Sequence, residues 1–155
     1  MHLKYTTHYK SLTLADTSCA ILAEESQKIE NITPGSYSVF KTENQMILKV
    51  VKNGVTQTDD VIYKYSNKGN ISTVIYTDKR GFRIKKIYDF TKGYKELIKI
   101  KFFKDHDFVK CEKYKNNALS EIIYYKDNVK FCAEFFSKDV HPDRVEYYNN
   151  AGLKV

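Results

Sequence analysis

The chain has no tryptophan, two prolines, six glycines and three cysteines in 155 residues, and no apolar run long enough to cross a bilayer as a helix. Each scarcity excludes something. So little Gly and Pro argues against a linker-like or disordered chain, and this length buries a core of ordinary size without disulfides or a structural metal. Cys19, Cys111 and Cys132 are odd in number, far apart and without CxxC spacing. They suit a reducing compartment and small buried hydrophobes better than a disulfide framework. Residues 1–22, MHLKYTTHYKSLTLADTSCAIL, scatter polar residues where a secretory signal needs a continuous apolar stretch, so the expected location is the cytoplasm. Asn70-Ile71-Ser72 matches a glycosylation sequon and, without such a signal, reads as a turn entering a strand.

Catalytic signatures are equally scarce. There is no GxGxxG and no GxxxxGK[ST], so no glycine loop to cradle a phosphate. His2, His8, His106 and His141 lie in no local nucleophile or acid–base motif. Asp105-His106-Asp107 has metal-ligand types but no second cluster at zinc spacing, and reads as a solvated turn. Asp59-Asp60 and Glu24-Glu25 are chain neighbours, whereas acid–base pairs converge across a cleft. The sequence therefore leans against an enzyme, with no catalytic residue, metal or cofactor assigned.

What is present is aromatic and basic. Thirteen Tyr and nine Phe favour strands. The formal net charge is +7, and residues 79–115 hold thirteen Lys and Arg against five Asp and Glu, leaving the remainder near neutral. Such a segment either solubilises strand faces or forms a patch for an acidic partner.

The spacing of Leu14, Ile21, Leu22 and Ile29, among good helix formers, predicts a helix over 14–29, capped by Asp16 or Thr17 and stopped by Asn31, Pro34 and Gly35. From Ser36 the texture changes to short apolar or alternating runs about ten residues apart. They predict strands at 36–42, 45–52, 58–66, 71–78, 82–89, 95–104, 108–115, 118–126, 129–137 and 143–148. Asn53-Gly54 is the strongest two-residue hairpin signal, because both residues tolerate positive φ. Weaker turn signals stand at 67–70, 78–81, 92–93, 116–117, 127–128 and 149–152. The expected fold is mainly β, one domain over 1–155. A helical segment at 1–35 packs on a long antiparallel meander at 36–155, as an open curved sheet or alternatively a sandwich or barrel.

The segments YKYSNKGNISTVIY, CEKYKNNALSEIIYY and VEYYNNAGLKV each read as aromatic strand, Asn-containing turn, new strand. They resemble the YD and MORN-type β-hairpin repeats of bacterial proteins. VKFCAEFFSKDVHPDRVEYYNNAGLKV is similar to the β-meander add-on domain of bacterial glycosyltransferases that modify surface proteins or teichoic acids. Phe135-Phe136, Tyr147-Tyr148 and Asn150-Ala151-Gly152 take comparable places. The likeness covers at most the last two-thirds of the chain, and the nucleotide-sugar-binding domains of those enzymes are missing. It implies a protein-contacting or acceptor-contacting module and no catalysis.

One constellation stands out. Period-two alternation over 95–104 puts Ile98, Ile100 and Phe102 on one strand face and Lys99, Lys101 and Phe103 on the other. Over 82–88 it sets Arg83 and Lys85 opposite Phe82, Ile84, Lys86 and Tyr88. If the two strands are neighbours, Arg83, Lys85, Lys99, Lys101 and Phe103 form a basic and aromatic strip, the candidate binding residues. The reading favoured is a non-enzymatic protein-binding module, of inhibitor, immunity or accessory type, from a bacterium or phage. Homodimerisation is compatible with exposed aromatic sheet. The alternative is a nucleic-acid or acidic-polymer binder using the same strip.

Overall fold

A computed structural model of the chain describes residues 3–10, 12–16, 19–25, 28–44, 46–54, 58–138 and 140–155. Two compact units divide it, Met1–Thr77 and Asp78–Val155. Among the described residues all regular structure is β-strand, and every strand pairing is antiparallel.

The first unit contains β1 (Leu3–Tyr9), β2 (Leu12–Asp16), β3 (Cys19–Glu25), β4 (Lys28–Ile29), β5 (Tyr37–Thr42), β6 (Ile47–Asn53), β7 (Thr58–Tyr65) and β8 (Ile71–Thr77). Six of them follow the order β8-β7-β6-β5-β1-β4, and β2 pairs with β3 apart from that sheet. The helix expected over 14–29 is therefore wrong, as is the helical segment at 1–35. Thr17, its second proposed cap, lies outside the described residues. The reason is legible in hindsight. Leu12-Thr13-Leu14 alternates with period two, and Asp16 and Cys19 are weak helix formers in the middle of the proposed stripe. A hairpin register that sets Leu14 opposite Leu22 brings together residues a helix would have placed two turns apart.

The core of this unit is built by cross-strand pairs, with Val39 opposite Val50 and Tyr63 opposite Val74. A polar cluster is buried beside it. Asn53 Nδ2 donates to Ser36 Oγ (3.3 Å) and Ser38 Oγ (3.0 Å), and Ser36 Oγ donates to the Thr33 carbonyl (2.6 Å). Asn53-Gly54 is not the two-residue hairpin turn that its sequence suggests. Asn53 ends β6 opposite Thr58, so four residues link β6 to β7. Its amide is engaged in the buried network because unpaired buried hydroxyls are costly.

The second unit is a meander of β9 (Arg83–Asp89), β10 (Glu96–Lys104), β11 (Asp107–Lys115), β12 (Ala118–Lys126), β13 (Val129–Phe135) and β14 (Arg144–Tyr147). Their sheet order is their chain order, in one layer, with no pairing between β9 and β14. Within this unit the sandwich and barrel alternatives therefore fall. The turns explain the regularity. Asp105-His106, Asn116-Asn117 and Asp127-Asn128 all have positive φ, between 49° and 72°, as a type I′ turn requires of both central residues. That twist matches the strands, so each turn returns the chain directly to its neighbour.

These turns recur every eleven residues, and the register behaves the same way after each. One residue is left over three places beyond the turn: Val109, Ser120 and Phe131. Ile98 is the equivalent extra residue between β9 and β10. Residues 96–106, 107–117, 118–128 and 129–139 read ELIKIKFFKDH, DFVKCEKYKNN, ALSEIIYYKDN and VKFCAEFFSKD. An aromatic pair or single ring, a polar residue and an Asp/Asn-type turn close most of these units. The meander is thus an eleven-residue strand repeat punctuated by bulges, which add local twist.

Candidate functional site

The register sorts the second unit into two chemically different faces. On one, Lys85 lies opposite Lys101, which continues through Cys111, Ile123 and Ala133 to Glu146. A parallel row on the same face runs Ile87, Lys99, Lys113, Glu121, Phe135 and Arg144. Arg83 faces Phe103, and Phe103 faces Phe108. All five sequence-predicted residues, Arg83, Lys85, Lys99, Lys101 and Phe103, therefore share this basic face. β9 and β10 are neighbours, as the strip requires.

Three further residues belong to the same surface and were missed. Phe108 is sandwiched between Phe103 (centroids 5.2 Å, planes 25° apart) and Tyr125 (4.3 Å, 23°). Lys101 Nζ lies 5.9 Å from the Phe108 centroid. Lys113 stands opposite Lys99 and pairs with Glu121 at 3.8 Å. The signal for Tyr125 was the eleven-residue period, which aligns it with Phe103 two strands away and hence on the same face at the same end. Beneath these side chains Cys111, Ile123 and Ala133 are buried at 3%, 4% and 0% exposure. Long neighbours on either side cover small residues, so a single layer keeps a narrow core. Burial pushes the Cys111 thiol up, which makes it a poor thiolate.

The opposite face is aromatic. Ile84, Phe102, Lys110, Tyr124, Cys132 and Tyr147 form one row across it. Phe82 meets Phe102 edge-on at 6.4 Å. Tyr124 donates its hydroxyl to Glu134, and burial together with this carboxylate raises the phenol to about 12. A cleft of about 360 Å³ opens here, lined by Arg80, Phe82, Phe102, Lys104, Val109, Lys110 and Tyr124.

His8 Nδ1 lies 2.8 Å from Ser38 Oγ, but Ser38 is 2% exposed and shares its oxygen with Asn53 Nδ2. That contact closes a buried network rather than presenting a nucleophile. His106 is the second central residue of an exposed turn. A second cleft, of about 440 Å³, is lined by residues 42–44, Met46 and residues 67–69, with Lys68 and Glu43 among them.

These features define an antiparallel repeat meander with one basic and one aromatic face. Neither a known family model nor a curated protein matches the chain.

Proposed function

We propose that the second unit is a non-catalytic docking module whose basic face receives an acidic surface of a partner protein. The observation that carries this is the arrangement of charge. Lys85 faces Lys101 and Lys99 faces Lys113, which gathers four cations at adjacent positions on one face. Such a concentration of positive charge attracts a carboxylate-rich surface. The aromatic stack favours a protein over a single nucleic-acid strand. Both faces of Phe108 are covered by Phe103 and Tyr125, so the ring offers its edge rather than a platform on which a base stacks. The resemblance to hairpin repeats supports the same reading. In this proposal the protein acts in the cytoplasm, where its thiols remain reduced.

The test is fluorescence anisotropy with labelled poly-glutamate and with a single-stranded oligonucleotide of similar charge. Poly-glutamate is expected to bind, to weaken about tenfold or more between 0.05 and 0.5 M salt, and to lose affinity in the double variant Lys99→Glu with Lys101→Glu. Binding of the oligonucleotide alone would move the function to nucleic acid. Failure of both ligands to bind would end the proposal.

A further inference from the structure

We propose that the cleft on the aromatic face, on the other side of the sheet from the docking surface, is a separate ligand site. Its class of ligand is a planar ring carrying a phosphomonoester, as in a nucleoside monophosphate. Its volume of about 360 Å³ falls within the range of small-molecule sites.

The lining argues for both parts of such a ligand. Three cations, Arg80, Lys104 and Lys110, line the cleft and no carboxylate does. Arg80 is held by Asp78, accepting bonds from Nε (3.1 Å) and Nη2 (2.9 Å), and Lys110 pairs with Glu112 at 3.4 Å. Among the described residues Lys104 makes no ion pair, and its ammonium rests 4.9 Å from the Phe82 centroid. Arg80 lies 5.1 Å from the same ring, and Lys110 lies 4.2 Å from Phe102. Lys104 is thus the rim's cation without a carboxylate among the described residues, and Arg80 and Lys110, each held by one carboxylate, keep further donors, so that together they can grip a phosphomonoester.

The floor supplies the rest. Phe102 is 7% exposed and fixed between Ile84 and Lys110 across the sheet, so it is a rigid wall. The bulge at Val109 inserts one extra residue of β11 at this point and turns an apolar side chain into the cleft. When a phosphate draws Lys104 off its ring, the face of Phe82 becomes available to the planar ring, and Phe102, nearly perpendicular to Phe82, walls the side. Neither half suffices alone, since the phosphate without a ring leaves apolar wall exposed and the ring without a phosphate leaves the cations where they are.

The experiment is an NMR titration of the full chain with AMP, adenosine and inorganic phosphate in parallel. AMP is expected to bind saturably with shifts confined to residues around Phe82, Lys104 and Lys110. Adenosine should bind at least about tenfold more weakly, the size expected for losing one charged hydrogen-bonding group, and phosphate at least about tenfold more weakly for losing the ring stack. Lys104→Gln should weaken AMP by about tenfold on the same grounds, and the milder Phe82→Leu should weaken it without unfolding the sheet. The Lys99→Glu, Lys101→Glu double variant should leave AMP binding unchanged, which separates this site from the docking face. A 5′-phosphorylated oligonucleotide binding tighter than AMP at the same residues supports the site and assigns its source to a strand terminus. AMP no tighter than adenosine, no saturation, or indifference to Lys104→Gln overturns the proposal.

Discussion

Lys85 and Lys101 stand directly opposite each other on β9 and β10, two ammonium side chains at one cross-strand position. A pair selected for stability would carry opposite charges. Lys101→Glu should therefore raise the stability of the second unit by about 0.2–1 kcal/mol while weakening poly-glutamate binding. Urea unfolding and anisotropy on the same protein check both halves. A variant less stable than the parent would show that Lys101 is retained for structure rather than binding.

The type I′ turns set a second expectation. Asn117 has φ 62°, a conformation that a β-branched residue adopts only under strain. Asn117→Val should cost about 1–2 kcal/mol, whereas Asn117→Gly should be neutral or stabilising by up to about 1 kcal/mol, because an Asn-Gly pair suits this turn best. The order of the urea midpoints, Gly at or above Asn and both above Val, is the measurement.

The narrow core under the basic face tolerates little change in volume. Ala133 is fully buried opposite Ile123 and Glu146, so Ala133→Leu should cost about 1–3 kcal/mol through overpacking. Ile123→Ala should cost about 2–5 kcal/mol by leaving a cavity between Cys111 and Ala133. Equal stability of Ala133→Leu and the parent would mean that the row has room to spare.

Alkaline pH should act through the tyrosines. Burial raises Tyr65 to about 12, and burial with Glu134 raises Tyr124 to about 12, against an ordinary value of 10.0. A folded value above the unfolded one means that stability is fully present below pH 10 and declines as pH climbs toward 12. Absorbance at 295 nm should show an early group of tyrosines and a late group that ionises together with loss of the sheet signal. Full titration near pH 10 with the fold intact contradicts this.

Acid should loosen the turn that presents Arg80. Desolvation pushes the Asp78 carboxyl up, but bonds from the Arg80 side chain and from the Phe82 and Arg80 amides, with the Arg80 charge, together outweigh it and hold the group below its usual range. Its contribution is present at neutral pH and is lost as pH falls through that lowered value. Asp78→Asn should then reduce the acid dependence of stability, read from the urea midpoints of variant and parent at pH 7 and pH 3.

Much of the second unit was legible because its signals are local. Strands predicted at 95–104, 108–115 and 118–126 appear as β10, β11 and β12 within a residue of those limits. Alternation correctly sorted Lys99 and Lys101 from Ile100 and Phe102. The N-terminal region misled for the opposite reason. Its apolar residues fit a helical stripe, helix propensities differ by fractions of a kcal/mol, and the deciding pairs, such as His8 opposite Ser38, lie thirty residues apart in the chain.

By itself the sequence determined the class of the meander, the positions of the Asn and Asp turns, and the excess of positive charge over 79–115. These depend on residue type and on periods of two and eleven, which need no partner to exist. The tertiary structure alone decided that β1 lies between β4 and β5, that Asn53 serves a buried network, and that Arg80 meets Phe82, Lys104 and Lys110 at one cleft. Those outcomes follow from register, and register is an agreement between strands: a shift of one residue turns every side chain to the other face, so no single strand contains it.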